Sequence, residues 1–205
     1  MQTVSRLIHT FIPEKYNLSL NLEREKRTFS GLVTIYGVAV KEGHISVHAK
    51  DLTIVSALVD GKAATFSAGE DDELTISHQD IFPGNHMIVI EFSGTITDAM
   101  HGIYPCYFEH NGNKKELLAT QFESHHAREV FPCVDEPDAK ATFELTLTTE
   151  NEVTVLGNMP IKTQRSENGK LVTLFETTPR MSTYLLAWAV GELHKKPPKP
   201  KVALK

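Results

Sequence analysis

Only two cysteines, Cys106 and Cys133, occur in the 205 residues. That is too few for the disulfide framework on which small secreted domains rely. The two could pair with each other, but the expectation is a pair of reduced, packed thiols. Long apolar runs are missing as well, and no segment approaches the roughly 20 residues that cross a bilayer. The opening stretch, Met1 to Pro13, has neither an uninterrupted apolar core nor a small-residue cleavage site. A cytoplasmic location and no membrane partner are the corresponding expectations. Basic excess is absent too: the net charge of -5 leaves no positive face to displace counterions, which argues against a nucleic-acid partner. Helical periodicity is scarce and no fixed-period repeat occurs.

What the chain does have is strand texture. Tyr16 to Leu22 alternates strictly, and Thr28 to Tyr36 continues with β-branched and aromatic residues. With the charged link Glu23 to Arg27 between them, these two runs predict a hairpin, and Gly31 suggests a bulge in its second arm. Further strands are expected at His44 to Ala49, Leu52 to Val59, Ala63 to Phe66, Glu73 to Ser77 and His86 to Phe92. In the second half they are expected at Ala141 to Thr148, Val153 to Leu156, Lys170 to Thr177 and Tyr184 to Val190. Asp60-Gly61 and Asn168-Gly169 are turn dipeptides. Many short strands at this spacing predict an all-β, mostly antiparallel sandwich or partly closed barrel. One helical turn is expected at about Ser124 to Glu129, with Ser124 as its N-cap. Residues 1–193 then read as the β domain. Residues 194–205, with the run His194-Lys-Lys-Pro-Pro-Lys-Pro-Lys201, read as a Lys/Pro-rich linker or an engineered end.

Catalytic signatures are conspicuous by their absence. His125 and His126 are adjacent, so their side chains diverge on a regular helix or strand. His126-Ala-Arg-Glu129 is followed by Val130 where an inverted zinc motif needs histidine. No His-Glu-x-x-His occurs, His101 sits in an unrelated context, and no metal ligand set is expected in this chain. There is no Gly-x-Ser-x-Gly elbow and no phosphate-binding glycine loop. Cys133 lies in an apolar setting that favours an inert thiol. No catalytic residue is assigned. Asp135-Glu-Pro137 pairs two acids, but prolines 132 and 137 bound them, which favours a structural turn. In that turn Asp135 accepts from backbone amides and Glu136 answers a cation such as Arg128.

The run Ala119-Thr-Gln-Phe-Glu123 offers more. On a strand, Gln121 and Glu123 leave one face while Phe122 enters the other. Together with Ala127-Arg128, Phe131-Pro-Cys-Val-Asp-Glu-Pro137, Lys140-Ala-Thr-Phe143, Leu156-Gly-Asn-Met-Pro160 and Thr177-Thr-Pro-Arg-Met-Ser-Thr-Tyr-Leu-Leu-Ala-Trp-Ala-Val-Gly-Glu192, it resembles the N-terminal domain of the aminopeptidase N family of zinc metallopeptidases. The likeness spans roughly residues 8 to 193. It implies a saddle-shaped, largely antiparallel β domain that packs over a downstream catalytic domain. The resemblance also implies substrate-binding roles: Glu123 holds the free α-amino group of a peptide and Gln121 lines the pocket for its first side chain. Zinc would belong to the catalytic domain of the full-length protein, with none in this chain, which alone would be inactive. The alternatives are a non-catalytic interaction or scaffold module sharing the fold, and an epoxide hydrolase relative.

Overall fold

The computed structural model describes residues 6–193; the expected linker at 194–205 lies outside them. The first two strands, β1 (Phe11–Glu23) and β2 (Thr28–Ala39), form the predicted hairpin, with Glu23 opposite Thr28 across the charged turn. Six strands follow in quick succession: β3 (His44–His48), β4 (Thr53–Val59), β5 (Lys62–Ala63), β6 (Thr65–Ala68), β7 (Glu73–Ser77) and β8 (Gly84–Thr95). The remainder are β9 (Gly102–His110), β10 (Asn113–Gln121), β11 (Thr142–Glu150), β12 (Thr154–Gly157), β13 (Ile161–Glu167), β14 (Lys170–Phe175) and β15 (Trp188–Gly191). Among the described residues the only helical pieces are three 3₁₀ turns, at Leu7–His9, Ala127–Glu129 and Thr183–Leu185.

Three sheets result. The largest runs β13-β14-β11-β1-β2-β8-β4-β5, a four-stranded sheet runs β12-β15-β10-β9, and a three-stranded sheet runs β3-β7-β6. Every pairing is antiparallel except β1 with β11. Alternation explains which faces are buried: Leu18, Leu20 and Leu22 of β1 point inward with Val33 and Ile35 of β2 and Ile88, Ile90 and Phe92 of β8. Ile45, Val47, Leu74 and Ile76 of the small sheet and Leu118, Val155, Trp188 and Val190 of the four-stranded sheet join the same core. At roughly 25 cal/mol per Å² of apolar surface, this shared burial is the main stabilising contribution.

Several local expectations are corrected. Gly31 is not a bulge: it pairs in register with Leu20 and Phe92. A Cβ there would lie 2.7 Å from Leu20 Cδ2 and 2.6 Å from Phe92 Cζ, so the glycine makes room for core side chains. The irregularity falls in β1, between Pro13 and Lys15. The extra residue resets the alternation, so that Pro13 and Tyr16 both face the core. Ala63 to Phe66 is split, because the chain leaves the large sheet after β5 and enters the small one at β6. Trp188, not Tyr184, begins β15, and the residues before it form a 3₁₀ turn. The Asp60-Gly61 hairpin is as expected, with Val59 opposite Lys62 and φ of 51° and 80° at the two turn residues.

Candidate functional site

Strand β10 carries the Gln121 to Glu123 platform. It lies between β9 and β15, and its last residue, Gln121, pairs with Gly102 at the start of β9. The strand ends there, two residues earlier than expected, yet the alternation persists: Gln121 and Glu123 are exposed and Phe122 is buried. The Phe122 ring sets edge-on against Trp188, 5.4 Å between centroids, and against Phe131 at 6.2 Å. Thr120 locks the same corner, its hydroxyl accepting from the Trp188 amide at 3.0 Å. Below this anchor the Glu123 N–H donates to Gln121 Oε1 at 3.2 Å, so the two polar residues are tied together. The Glu123–Ser124 peptide is cis. Among the described residues no cation forms an ion pair with the Glu123 carboxylate.

The proline-bounded segment supports this platform from behind. Asp135 is buried, and its carboxylate accepts from the Arg128 amide at 3.2 Å, from Arg128 Nε at 3.3 Å and from the Thr183 hydroxyl at 2.7 Å. Arg128 also donates to Asp72 at 3.3 Å. The expected partner of Arg128 was Glu136, and that is corrected: Arg128 answers Asp135, while Glu136 accepts from the Leu7 amide at 2.6 Å and pairs with Arg6. Adjacent residues in extended chain point opposite ways, which separates the two acids. The Ser182 hydroxyl donates to the Pro137 carbonyl, and Ala141 bridges to Met181. The segments Phe131 to Pro137 and Thr177 to Tyr184 are thus two sides of one hydrogen-bonded unit. The Tyr16 hydroxyl accepts from the Val134 amide, and burial raises its pKa well above the ordinary value. Burial likewise raises the Cys133 thiol, which leaves it the inert packed cysteine that was expected. The helical turn is shorter than predicted, and the Ser124 hydroxyl meets His125 Nδ1 at 2.7 Å instead of capping it.

His48 links the small sheet to this unit. It exchanges backbone hydrogen bonds with Cys133, and its Nδ1 accepts from the Asp135 amide at 3.1 Å. Burial first, and the nearby Arg128 second, lower its pKa from 6.5 to about 4. Between those values the unfolded chain binds a proton that the folded chain does not, so stability falls as pH drops through the window. This one group is expected to remove up to about 3 kcal/mol between pH 7 and pH 4. Urea titrations across that range check it, and His48→Asn, whose amide oxygen can replace Nδ1 as acceptor, should flatten the slope.

An open, charged groove of about 680 Å³ lies beside the turn, lined among others by Arg6, Asp72, Arg128, Asp135 and Glu136. Gln121 and Glu123 do not line it. A second polar cluster joins residues that sequence reasoning kept apart: His101, before β9, meets His126 and Glu129. No spacing signal could have found it, because His101 and His126 are brought together by the β9 and β10 hairpin that lies between them. Glu129 is partly buried, which works against its charge. Hydrogen bonds from His126, Lys50 and His101 outweigh that and hold its pKa below the usual carboxylate range.

The sequence matches the model of the peptidase M1 N-terminal domain over residues 12–185. It is 52% identical to aminopeptidase N of Lactococcus lactis subsp. lactis over 203 residues, covering 97% of this chain and 24% of that protein. Aminopeptidase N of Lactobacillus delbrueckii subsp. lactis is 47% identical over 192 residues, 93% of this chain and 22% of that protein. Aminopeptidase M1 of Arabidopsis thaliana is 35% identical over 198 residues, 91% and 22% respectively. The chain thus spans less than a quarter of the length of these relatives. With the family match covering most of the chain and the β architecture in agreement, the chain belongs to the peptidase M1 N-terminal domain family, as an N-terminal domain of the aminopeptidase N kind.

Proposed function

We propose that this chain is the substrate-anchoring N-terminal domain of a zinc-dependent aminopeptidase. The observation that carries the reading is the exposed Glu123 carboxylate, unpaired among the described residues and tied through its backbone to Gln121. An exposed carboxylate with no cation paired to it among the described residues is suited to an incoming ammonium group, which it would hold by a charge-assisted hydrogen bond. Anchoring the α-amine measures one residue from the peptide end and sets the first peptide bond where a catalytic group can reach it. Gln121, on the same face, contributes to the pocket for the first side chain.

Zinc held by a catalytic domain would supply activation of the water for attack on the peptide carbonyl. The sequence contains no His-Glu-x-x-His, and no residue of the Glu123 platform fits as its ligand set. The chain's own contribution is therefore binding and orientation, with a downstream catalytic domain as its partner. Two free cysteines support a reducing, cytoplasmic setting. Among the described residues no helix is long and apolar enough to cross a membrane.

The purified 205-residue chain is expected to release no arylamine from aminoacyl arylamides, with or without added zinc. Turnover by the pure chain, retained after repeated chromatography, would refute the division of labour proposed here.

A further inference from the structure

We infer that His101, His126 and Glu129 form a binding site for a divalent first-row transition ion of the zinc class, distinct from the Glu123 platform. His126 and Glu129 are three residues apart across the 3₁₀ turn Ala127–Glu129, a spacing that places both on one side of a tight turn. His101 reaches the same point from the loop that enters β9. Its Nδ1 lies 2.5 Å from Glu129 Oε2, and His126 Nδ1 lies 3.1 Å from Glu129 Oε1. The two imidazoles stack, 4.2 Å between centroids and 25° between planes. One ligand atom from each of the three residues lies within 4.8 Å of the others. Two ligands on a tetrahedral zinc, with bonds of about 2.0–2.2 Å, stand roughly 3.3 Å apart, so only small side-chain shifts are needed.

The donor set fits this class of ion. Two imidazoles and one carboxylate suit zinc, nickel, cobalt or copper, whereas magnesium and calcium prefer all-oxygen shells. The side chains are 37%, 22% and 11% exposed for His101, His126 and Glu129, so the cluster is open on one side to an entering hydrated ion, and water completes the coordination. At present the cluster is held by the hydrogen bonds from the two imidazoles to Glu129 and by Lys50, whose Nζ lies 3.0 Å from Glu129 Oε1. An entering ion replaces the hydrogen bonds between nitrogen and carboxylate, and a neutral imidazole that binds through Nδ1 carries its proton on the other ring nitrogen. The ion also competes with Lys50, whose side chain is 39% exposed and free to swing away. The site has a consequence for its neighbour: Gly102, directly after His101, pairs with Gln121. A bound ion would therefore clamp the strand partner of the Gln121 to Glu123 platform onto the 3₁₀ turn.

The test is calorimetric titration of the chelator-dialysed 205-residue chain with zinc chloride, and separately with magnesium chloride. Zinc is expected to bind saturably at one site, and magnesium is expected not to bind. His101→Ala and Glu129→Gln should each weaken zinc at least tenfold, while Lys50→Gln should bind at least as tightly as the parent. In the unaltered chain, cobalt should broaden the imidazole NMR signals of His101 and His126 ahead of the other histidines, a readout that needs no folded variant. No saturable binding, parental affinity in His101→Ala, weaker binding in Lys50→Gln, or broadening centred on other histidines would each overturn the assignment.

Discussion

Asp135→Ala is expected to lower the unfolding free energy by about 3–5 kcal/mol, the cost of stripping one partner from a buried ion pair. The side chain of Asp135 is 1% exposed and that of Arg128 is 12% exposed. The substitution leaves the guanidinium with Asp72, at the solvent edge, and with the Asp135 carbonyl at 3.2 Å. It also strands the Thr183 hydroxyl, which is otherwise bonded at 2.7 Å, and the Arg128 amide. The 3₁₀ turn Ala127–Glu129 and the segment Thr177 to Tyr184 would loosen together, since Arg128 belongs to the first and Thr183 to the second. Asp135→Asn keeps an acceptor for Thr183 but loses the charge, and should fall between the parent and the alanine variant. Urea unfolding at pH 7 measures the effect through the midpoint, with the slope unchanged if the unfolding stays two-state. A loss below about 1 kcal/mol, the range of an exposed ion pair, would mean that the network does not hold the turn together.

Much of this architecture was legible from alternation. β1 and β2 follow the pattern of Tyr16 to Leu22 and Thr28 to Tyr36, because one face of each is core and the other solvent. Where a strand departs from period two or lacks a buried face, alternation carries no signal. The opening of β1 was missed because the irregularity between Pro13 and Lys15 breaks the phase. The β9 and β10 hairpin was missed for a different reason. Pro105 breaks the strand-forming pattern of a β9 that runs through it, the outer half of β9 is exposed, and β10 opens on Asn113-Lys-Lys-Glu, so apolar burial marks only their inner ends. Its Asn111-Gly112 turn, with φ of 53° and 75°, was the one usable signal. β13 is exposed at every position and exists through backbone pairing with β14, which hydrophobicity cannot register.

The site divides the same way. Gln121, Phe122 and Glu123 were readable because alternation is local. The partners of Asp135 and Glu136 were not, since adjacent acids of equal charge are separated only by direction, and Glu136 is claimed by Arg6, 130 residues away. The meeting of His101 with His126 depends in turn on β9, the strand that the pattern concealed.

In a protein that continues from this chain into the catalytic domain, Glu123→Ala is expected to raise KM sharply for free-amine substrates. Loss of a charged hydrogen bond at about 1.5–3 kcal/mol corresponds to roughly 10- to 150-fold in kcat/KM. The effect should leave folding intact, because Glu123 is exposed and only its amide bonds to Gln121. Surface positions without buried contacts usually change stability by less than about 0.5 kcal/mol. Because the anchor also sets register, some of the loss should appear in kcat, through substrate bound in unproductive positions. An unchanged KM with parental kcat would remove Glu123 from the amine site.

The most direct measurement compares two aminoacyl arylamides that differ only in the α-amino group, one bearing it and one with hydrogen in its place, on the parent enzyme and on Glu123→Gln. If Glu123 holds the amine, the parent prefers the amino substrate strongly in kcat/KM. The variant then loses most of that preference, with little change toward the des-amino compound. Equal preference in the two proteins would contradict the claim that this carboxylate recognises the peptide N-terminus.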